Sequence, residues 1–390
     1  MKKINSITIH TDSFDEAVIE DTLQYCSNLY HNIHLMPDTH RGVKCPIGFV
    51  GQYDLEKGID PHTIGIDIGC GVSYYKIPHI DIDHINWEIF YTKLLDKVYK
   101  NNSFCSNSPF YSAVGNTKFK NLSNVEKVYY IESLGTLGEG NHFIEINRGR
   151  DYGYIVVHSG SRKFGADIYK YYTSKLEFDR QGFSEELQSI EPKLRQSKIA
   201  ELKEKYSQSI YSLKGEDLSN YLNDIQVATK FAEINRVAII HTVRLLLQGL
   251  DIPMYLEVNQ DNYLSCTHNY IDTTNRIIRK GSISAQKDKK VIIPINMRDG
   301  SIIGVGKGNP DWLYSAPHGA GRVLSRTQAK QQLSYQEFKD SMKDTISYSI
   351  SEDIIDEAPQ AYRGMEEILE TIQDTVEIQE IIKPIFNFKI

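Results

Sequence analysis

Short strands on either side of a long helical stretch limit what the chain can fold into. Within the first 80 residues, the runs 33–36, 47–50, 65–68 and 72–75 are apolar and separated by Gly, Pro and Asp. This pattern predicts short strands joined by tight turns. Residues 143–146 and 154–158 read the same way. From about 165 to 250 the pattern changes. Glu, Lys, Gln and Leu dominate 183–214, broken at Pro192, and Val227, Phe231, Ile234, Ala238 and Leu245 recur at helical spacing before a stop at Gly249 and Pro253. Strands return at 291–294 and 301–305, then helices at 335–342 and 365–372. No internal repeat, low-complexity tract or linker interrupts the chain. Residues 1–390 are therefore expected to form a single α+β domain with a β-sheet core and a helical insert at about 165–250.

Composition narrows the class. A 390-residue chain with 40% hydrophobic content can bury a substantial core. It has no uninterrupted apolar run of about 18 residues, so no membrane partner is expected. The basic N-terminus Met1-Lys2-Lys3 lacks the apolar stretch of an export signal. Cys26, Cys45, Cys70, Cys105 and Cys266 are odd in number and form no C-x-x-C pair. That suits reduced thiols and a cytoplasmic location. The net charge of −7 argues against a broad basic surface, so any polyanion site must be local.

The chemistry is concentrated in short motifs. Asp67 and Cys70 stand three apart in Gly65-Ile66-Asp67-Ile68-Gly69-Cys70-Gly71, where the glycines let both side chains turn toward one centre. His142, His158 and His268 each fall at a strand edge or turn, where a neighbour can orient the imidazole. A carboxylate, a thiol and three imidazoles make a metal-ligand set, and on softness alone they suit zinc. Asp38, in Met36-Pro37-Asp38-Thr39-His40, either caps its own turn or carries a proton for a hydroxyl. His318 sits among small residues in Ala316-Pro317-His318-Gly319-Ala320-Gly321-Arg322, where a nucleotide can approach the backbone. Arg322 and Arg326, four apart, would share a helix face and meet phosphates. Lys280, Arg162, Arg236 and Arg298 are candidates to line an RNA channel. No P-loop is present, and the glycines between Gly135 and Gly140 lack the following helix of a dinucleotide fingerprint.

Together these motifs resemble the RtcB family of RNA-splicing ligases. The resemblance implies a mixed fold with a deep metal-binding cleft. It implies two Mn²⁺ ions, one on Cys70, His158 and His268 and one on Asp67, Cys70 and His142. It implies GTP as nucleotide, with His318 as nucleophile, in a motif that starts at Ser315, and with Asp38 as a second catalytic residue. Asn141 and His142 would then meet the phosphate. Glu145, Ser301, Tyr362 and Lys389 would surround the guanine, and Ser315, Gly319, Ala320 and Gly321 would frame His318. The implied activity joins RNA 2′,3′-cyclic phosphate or 3′-phosphate ends to 5′-hydroxyl ends through a histidine-guanylate, in RNA repair or tRNA splicing. An activating protein is a further partner that this reading leaves open. Lys163, Thr267, Pro294-Ile295-Asn296-Met297 and Arg363 depart from the commoner family pattern, and the Asn296 region borders the expected nucleotide. The rival reading is a binuclear metallohydrolase on RNA ends, which would use the same metal ligands and leave His318 idle.

Overall fold

A computed structural model describes residues 2–78, 85–99, 110–176, 180–208, 212–249, 259 and 261–390. The expected helix stop at Pro253 and the thiol of Cys105 lie outside them.

Two sheets carry the fold. The first has six strands in the order β1 (Lys2–Ile4), β2 (Ile7–Ile9), β3 (Tyr30–His40), β4 (Ile47–Tyr53), β10 (Ile277–Lys280) and β9 (Asn269–Asp272). Only the β2–β3 pair is parallel. The second has seven antiparallel strands, in the order β12 (Lys290–Asn296), β13 (Gly300–Gly306), β15 (Val376–Phe388), β6 (Phe143–Arg148), β7 (Gly153–Ser159), β5 (Gly71–Ile77) and β8 (Tyr263–Thr267). Its first strand, β12, packs back against β8 and β5, which curls the sheet toward a barrel. A ribbon of β11 (Ser282–Ser284) and β14 (Ser315–Pro317) stands apart from both.

Alternation along the strands explains how the seven-stranded sheet buries both faces. Val72 and Tyr74 on β5, with Tyr154 and Val156 on β7, point into the curl beside Ile293 and Ile302. Tyr75, Ile77, Ile155 and Val157 point outward. A period of two places successive side chains on opposite faces, so a strand apolar at nearly every position is covered on both sides. The outer cover comes from α2 (Trp87–Tyr99) and α8 (Gly215–Leu247), which contribute Trp87, Leu94, Ile239 and Val243 to the same cluster.

The remaining helices are α1 (Glu16–Tyr25), α3 (Phe110–Gly115), α4 (Asn124–Glu132), α5 (Arg162–Ser174), α6 (Arg180–Ser189), α7 (Arg195–Gln208), α9 (Arg326–Gln332), α10 (Tyr335–Ser341) and α11 (Met365–Thr371). The insert expected at about 165–250 is α5 to α8, Pro192 falls between α6 and α7, and Gly249 follows the last turn of α8 with φ +66°. Among the described residues no helix is long and apolar enough to cross a membrane.

Two expectations are corrected. Residues 65–68 form a turn rather than a strand, closed by the Cys70 N–H on the Asp67 carbonyl at 3.3 Å. A strand would send alternate side chains to opposite faces, whereas the turn gathers Asp67 and Cys70. Arg236 and Lys280 are not free to line an RNA channel. Arg236, on α8, is fully buried and donates to the carbonyls of Gly69 (3.0 Å) and Ser159 (2.8 Å) and the hydroxyls of Ser73 (2.9 Å) and Ser265 (3.0 Å). Lys280 donates to the Cys45 carbonyl at 2.9 Å. Both cations satisfy backbone carbonyls, which is how a buried charge is tolerated.

Candidate metal centre and nucleotide cleft

A cleft of about 330 Å³ opens where β6, β7, β12 and the 318–322 segment meet, and Cys70, His158, His268 and His318 all line it. Strand ends deliver the donors. Cys70 immediately precedes β5, His142 precedes β6, His158 is the sixth residue of β7, and His268 links β8 to β9. Backbone pairing fixes their relative positions. His158 faces Val72 across β5–β7, and the His268 N–H donates to the Cys70 carbonyl at 2.8 Å.

The donor atoms converge. Cys70 Sγ lies 3.5 Å from His142 Nε2 and 3.2 Å from His158 Nε2. His158 Nε2 is 3.4 Å from His268 Nε2, and His142 Nε2 is 3.2 Å from Asp67 Oδ2. The donor atoms of Cys70, His142 and His158 lie within 4.8 Å of one another and are buried. Gly160 makes room for Asp67, since a Cβ there would stand 2.0 Å from Asp67 Oδ1.

Protonation chemistry supports a cation at this centre. His158 Nδ1 lies 3.0 Å from the Asn141 carbonyl, which can only accept, so the other nitrogen keeps its lone pair. That lone pair aims at a sulfur and at a second imidazole nitrogen. Burial, reinforced by His142, pushes the His158 pKa well below the ordinary imidazole range, and burial reinforced by His318 does the same at His268. Burial raises the Cys70 thiol well above its usual value, and Asp67 adds to this. Burial opposes ionisation of Asp67, but His142 beside it more than compensates and holds that carboxyl at about 2. Imidazoles, a thiol and a carboxylate facing one another in a buried space fit a metal ion, which would take the thiol as thiolate.

His318 stands beside this centre, its ring centroid 4.7 Å from that of His268. Asp38 lies behind it, fully buried. Asp38 Oδ2 accepts from the His318 backbone N–H at 3.0 Å and meets Nδ1 at 2.6 Å. With Nδ1 committed, Nε2 is the nitrogen left for chemistry. Gly321 lets the two segments touch: it has φ +72°, and a Cβ would come within 2.7 Å of the Asp38 Cα.

The nucleotide side of the cleft is equally built. Glu145 on β6 is 2% exposed and accepts from Asn147 (3.2 Å) and Asn387 (2.9 Å). Burial still raises its pKa to about 7. Lys389 is held by the strand that precedes it and is 6% exposed, with Nζ 2.7 Å from Glu357. Tyr362 donates to Glu357 at 2.7 Å. Asn141, Gly319, Ala320 and Gly321 also line the cleft.

Other expected residues fall elsewhere. Ser301 and Ser315 are not among the lining residues. The Ser315 hydroxyl donates to the Leu313 carbonyl at 2.8 Å and accepts from Arg279 at 2.9 Å, which commits it to the fold. Ser301 is buried on β13. Arg322 and Arg326 do not share a helix face: Ser325 caps α9, so Arg326 begins that helix, while Arg322 precedes it and pairs with Tyr362 across a β-bridge. Asn296 lines the cleft but spends its side chain on a turn, accepting from the N–H groups of Arg298 and Asp299 and donating to the Asp299 carboxylate. Arg363 lies outside the cleft, on Glu367 and the Ser13 carbonyl. Sequence reasoning missed Asn387 and Glu357. The alternation into Asn387 on β15 was a usable signal, whereas nothing local marks Glu357.

The fold and donor set define an α+β protein with a buried His/Cys centre of metal-binding type, set beside a histidine held by a carboxylate. A family model described as tRNA-splicing ligase RtcB matches residues 22–108 and 101–390, and the chain belongs to the RtcB family. It is 28% identical over 389 residues to the RNA-splicing ligase RtcB of Escherichia coli (strain K12), covering 90% of this chain and 88% of that one. It is 26% identical over 419 residues to the tRNA-splicing ligase RtcB of Nanoarchaeum equitans, covering 86% and 83%. RNA-splicing ligase RtcB2 of Escherichia coli (strain ATCC 25922) is 27% identical over 369 residues, covering 86% and 82%.

Proposed function

We propose that the chain is a cytoplasmic RNA ligase, acting as one catalytic domain, that uses GTP and Mn²⁺ to join 3′-phosphate or 2′,3′-cyclic phosphate ends to 5′-hydroxyl ends. The observation that carries this reading is the Asp38–His318 pair. With Nδ1 turned to Asp38, His318 presents Nε2 to the cleft, as a nucleophile requires and a metallohydrolase does not. Cys70, His158 and His268 would hold one ion and Asp67, Cys70 and His142 the other. The donors alone suit zinc, but the family relationship supports manganese. When bound, the ions neutralise charge on phosphate oxygens.

His318 Nε2 attacks the α-phosphorus of GTP, forming a P–N bond as the P–O bond to pyrophosphate breaks. Water opens a cyclic end to the 3′-phosphate. An oxygen of that phosphate takes GMP from His318, and the 5′-hydroxyl then attacks the activated phosphorus and releases GMP. Asn141 and His142 orient the nucleotide phosphate, Gly319 to Gly321 admit it to the backbone, and Glu145, Tyr362 and Lys389 surround the guanine. The test is an RNA pair with 2′,3′-cyclic phosphate and 5′-hydroxyl ends. Joining that needs both GTP and Mn²⁺ is expected. Cyclic ends opened but never joined would favour the hydrolase instead.

A pH dependence follows from Glu145. Only the ionised carboxylate accepts from guanine N1–H and N2–H₂. With its pKa raised to about 7 by burial, GTP affinity should strengthen as pH rises from 6 to 8. Titration of the apo protein with GTP at several pH values checks this, and an affinity that falls over that range would contradict it.

A further inference from the structure

Three lysines or arginines line the cleft among the described residues: Arg322, Arg326 and Lys389. All three meet one carboxylate. Glu357 stands 2.7 Å from Lys389 Nζ, 3.3 Å from Arg322 Nη1 and 3.4 Å from Arg326 Nη2, and its own side chain is 6% exposed. It also accepts from the Tyr362 hydroxyl, and Arg322 lies over the Tyr362 ring at 4.9 Å. The neighbouring Asp356 supports the same group, through Arg326 at 3.5 Å and through its carbonyl to Arg322.

We infer that Glu357 is a positioning residue that holds the cleft's cations in register for a triphosphate and its guanine; this rests on the ligase reading above. Lys389 and Tyr362 belong to the expected guanine end, and Arg322, four residues after His318, reaches Tyr362 from the segment that carries the nucleophile. One buried carboxylate therefore ties the two ends of the nucleotide site together. Its charge is shared among three cations, so the group keeps a net positive charge for an anionic ligand. Long basic side chains lose much rotamer entropy on binding, and holding them beforehand removes that cost.

A role confined to folding is a poor fit to the surroundings. The segment Glu352–Glu357 is anchored by apolar packing of Ile355 and the following Ala358 against Phe338, Met342 and Met297, independently of the Glu357 side chain.

The experiment measures guanylylation of the full chain against GTP concentration for the unaltered protein, Glu357→Gln, Lys389→Met and the double variant, with melting temperatures. Glu357→Gln keeps the shape and removes the charge. Losing a charge-assisted contact to Lys389 should raise KM for GTP about tenfold and leave kcat within about threefold. The double variant should raise KM by less than the product of the two single effects, because Glu357 acts partly through Lys389. An unchanged KM with a lowered melting temperature would overturn the inference, as would a fall in kcat alone. Absence of labelling in the unaltered protein would overturn the ligase reading and this inference with it.

Discussion

Cys70→Ala should lower RNA joining by at least about 10³-fold and strip the protein of most of the metal proposed for this centre, while the fold survives. The magnitude follows from the several kcal/mol a metal contributes to charge stabilisation at phosphorus. Cys70 Sγ is within 3.5 Å of both His142 and His158, so in the proposed two-ion arrangement it would be the donor common to both halves. Removing a terminal ligand such as His268 would weaken one half, whereas removing the shared one weakens both. The substitution deletes a single sulfur from a packed site, an effect on stability of about 1 kcal/mol. Metal content after dialysis, measured beside the joining rate, checks the prediction. A Cys70→Ala protein that retains its manganese and joins RNA at the original rate would show that these donors do not form the working centre.

Asp38 separates two mechanisms. In the sequence, Asp38 was a candidate to carry a proton for a hydroxyl; in the structure its Oδ2 faces His318 Nδ1 at 2.6 Å. Asp38→Ala should therefore suppress the first step, transfer of GMP to His318, by about 10³-fold or more, because the imidazole loses the partner that fixes its tautomer and orientation. Asp38→Asn keeps an acceptor oxygen toward Nδ1 but loses the charge and puts an amide in place of the other oxygen, so its defect should be no larger than that of Asp38→Ala. Single-turnover labelling from GTP reads this step apart from joining. If Asp38→Ala formed the histidine adduct at the normal rate but failed to join ends, Asp38 would be acting on the RNA hydroxyl instead.

The donors were legible in the sequence because their chemistry is unusual wherever it occurs: a thiol and a carboxylate in a glycine turn, and histidines at the ends of apolar runs. The last helix of the insert was legible because Val227, Phe231, Ile234, Ala238 and Leu245 recur at helical spacing along α8. The strand β15 was not recognised. Glu380 and the Ile381-Ile382 pair break the alternation begun at Val376, and irregular pairing near Ile303/Gly304 and Pro384/Phe386 shifts its register, although Ile382, Phe386 and Phe388 are all buried. That strand is what fixes Lys389, the residue after its last. Arg236 was a candidate to line an RNA channel, yet it lies one turn from Ala232 and Ile240 on the buried face of α8, a periodicity open to inspection. Glu357 is different. Its importance arises from contacts with residues 31 to 35 positions earlier and 32 positions later, which no local pattern records.

The most direct test of the account is to incubate the full chain with α-labelled GTP and Mn²⁺ and look for label on the protein. A phosphoramidate on His318 predicts label that is lost in acid, survives alkali, and is absent from His318→Ala. No label on a protein that binds metal and still opens cyclic phosphate ends would contradict the ligase mechanism.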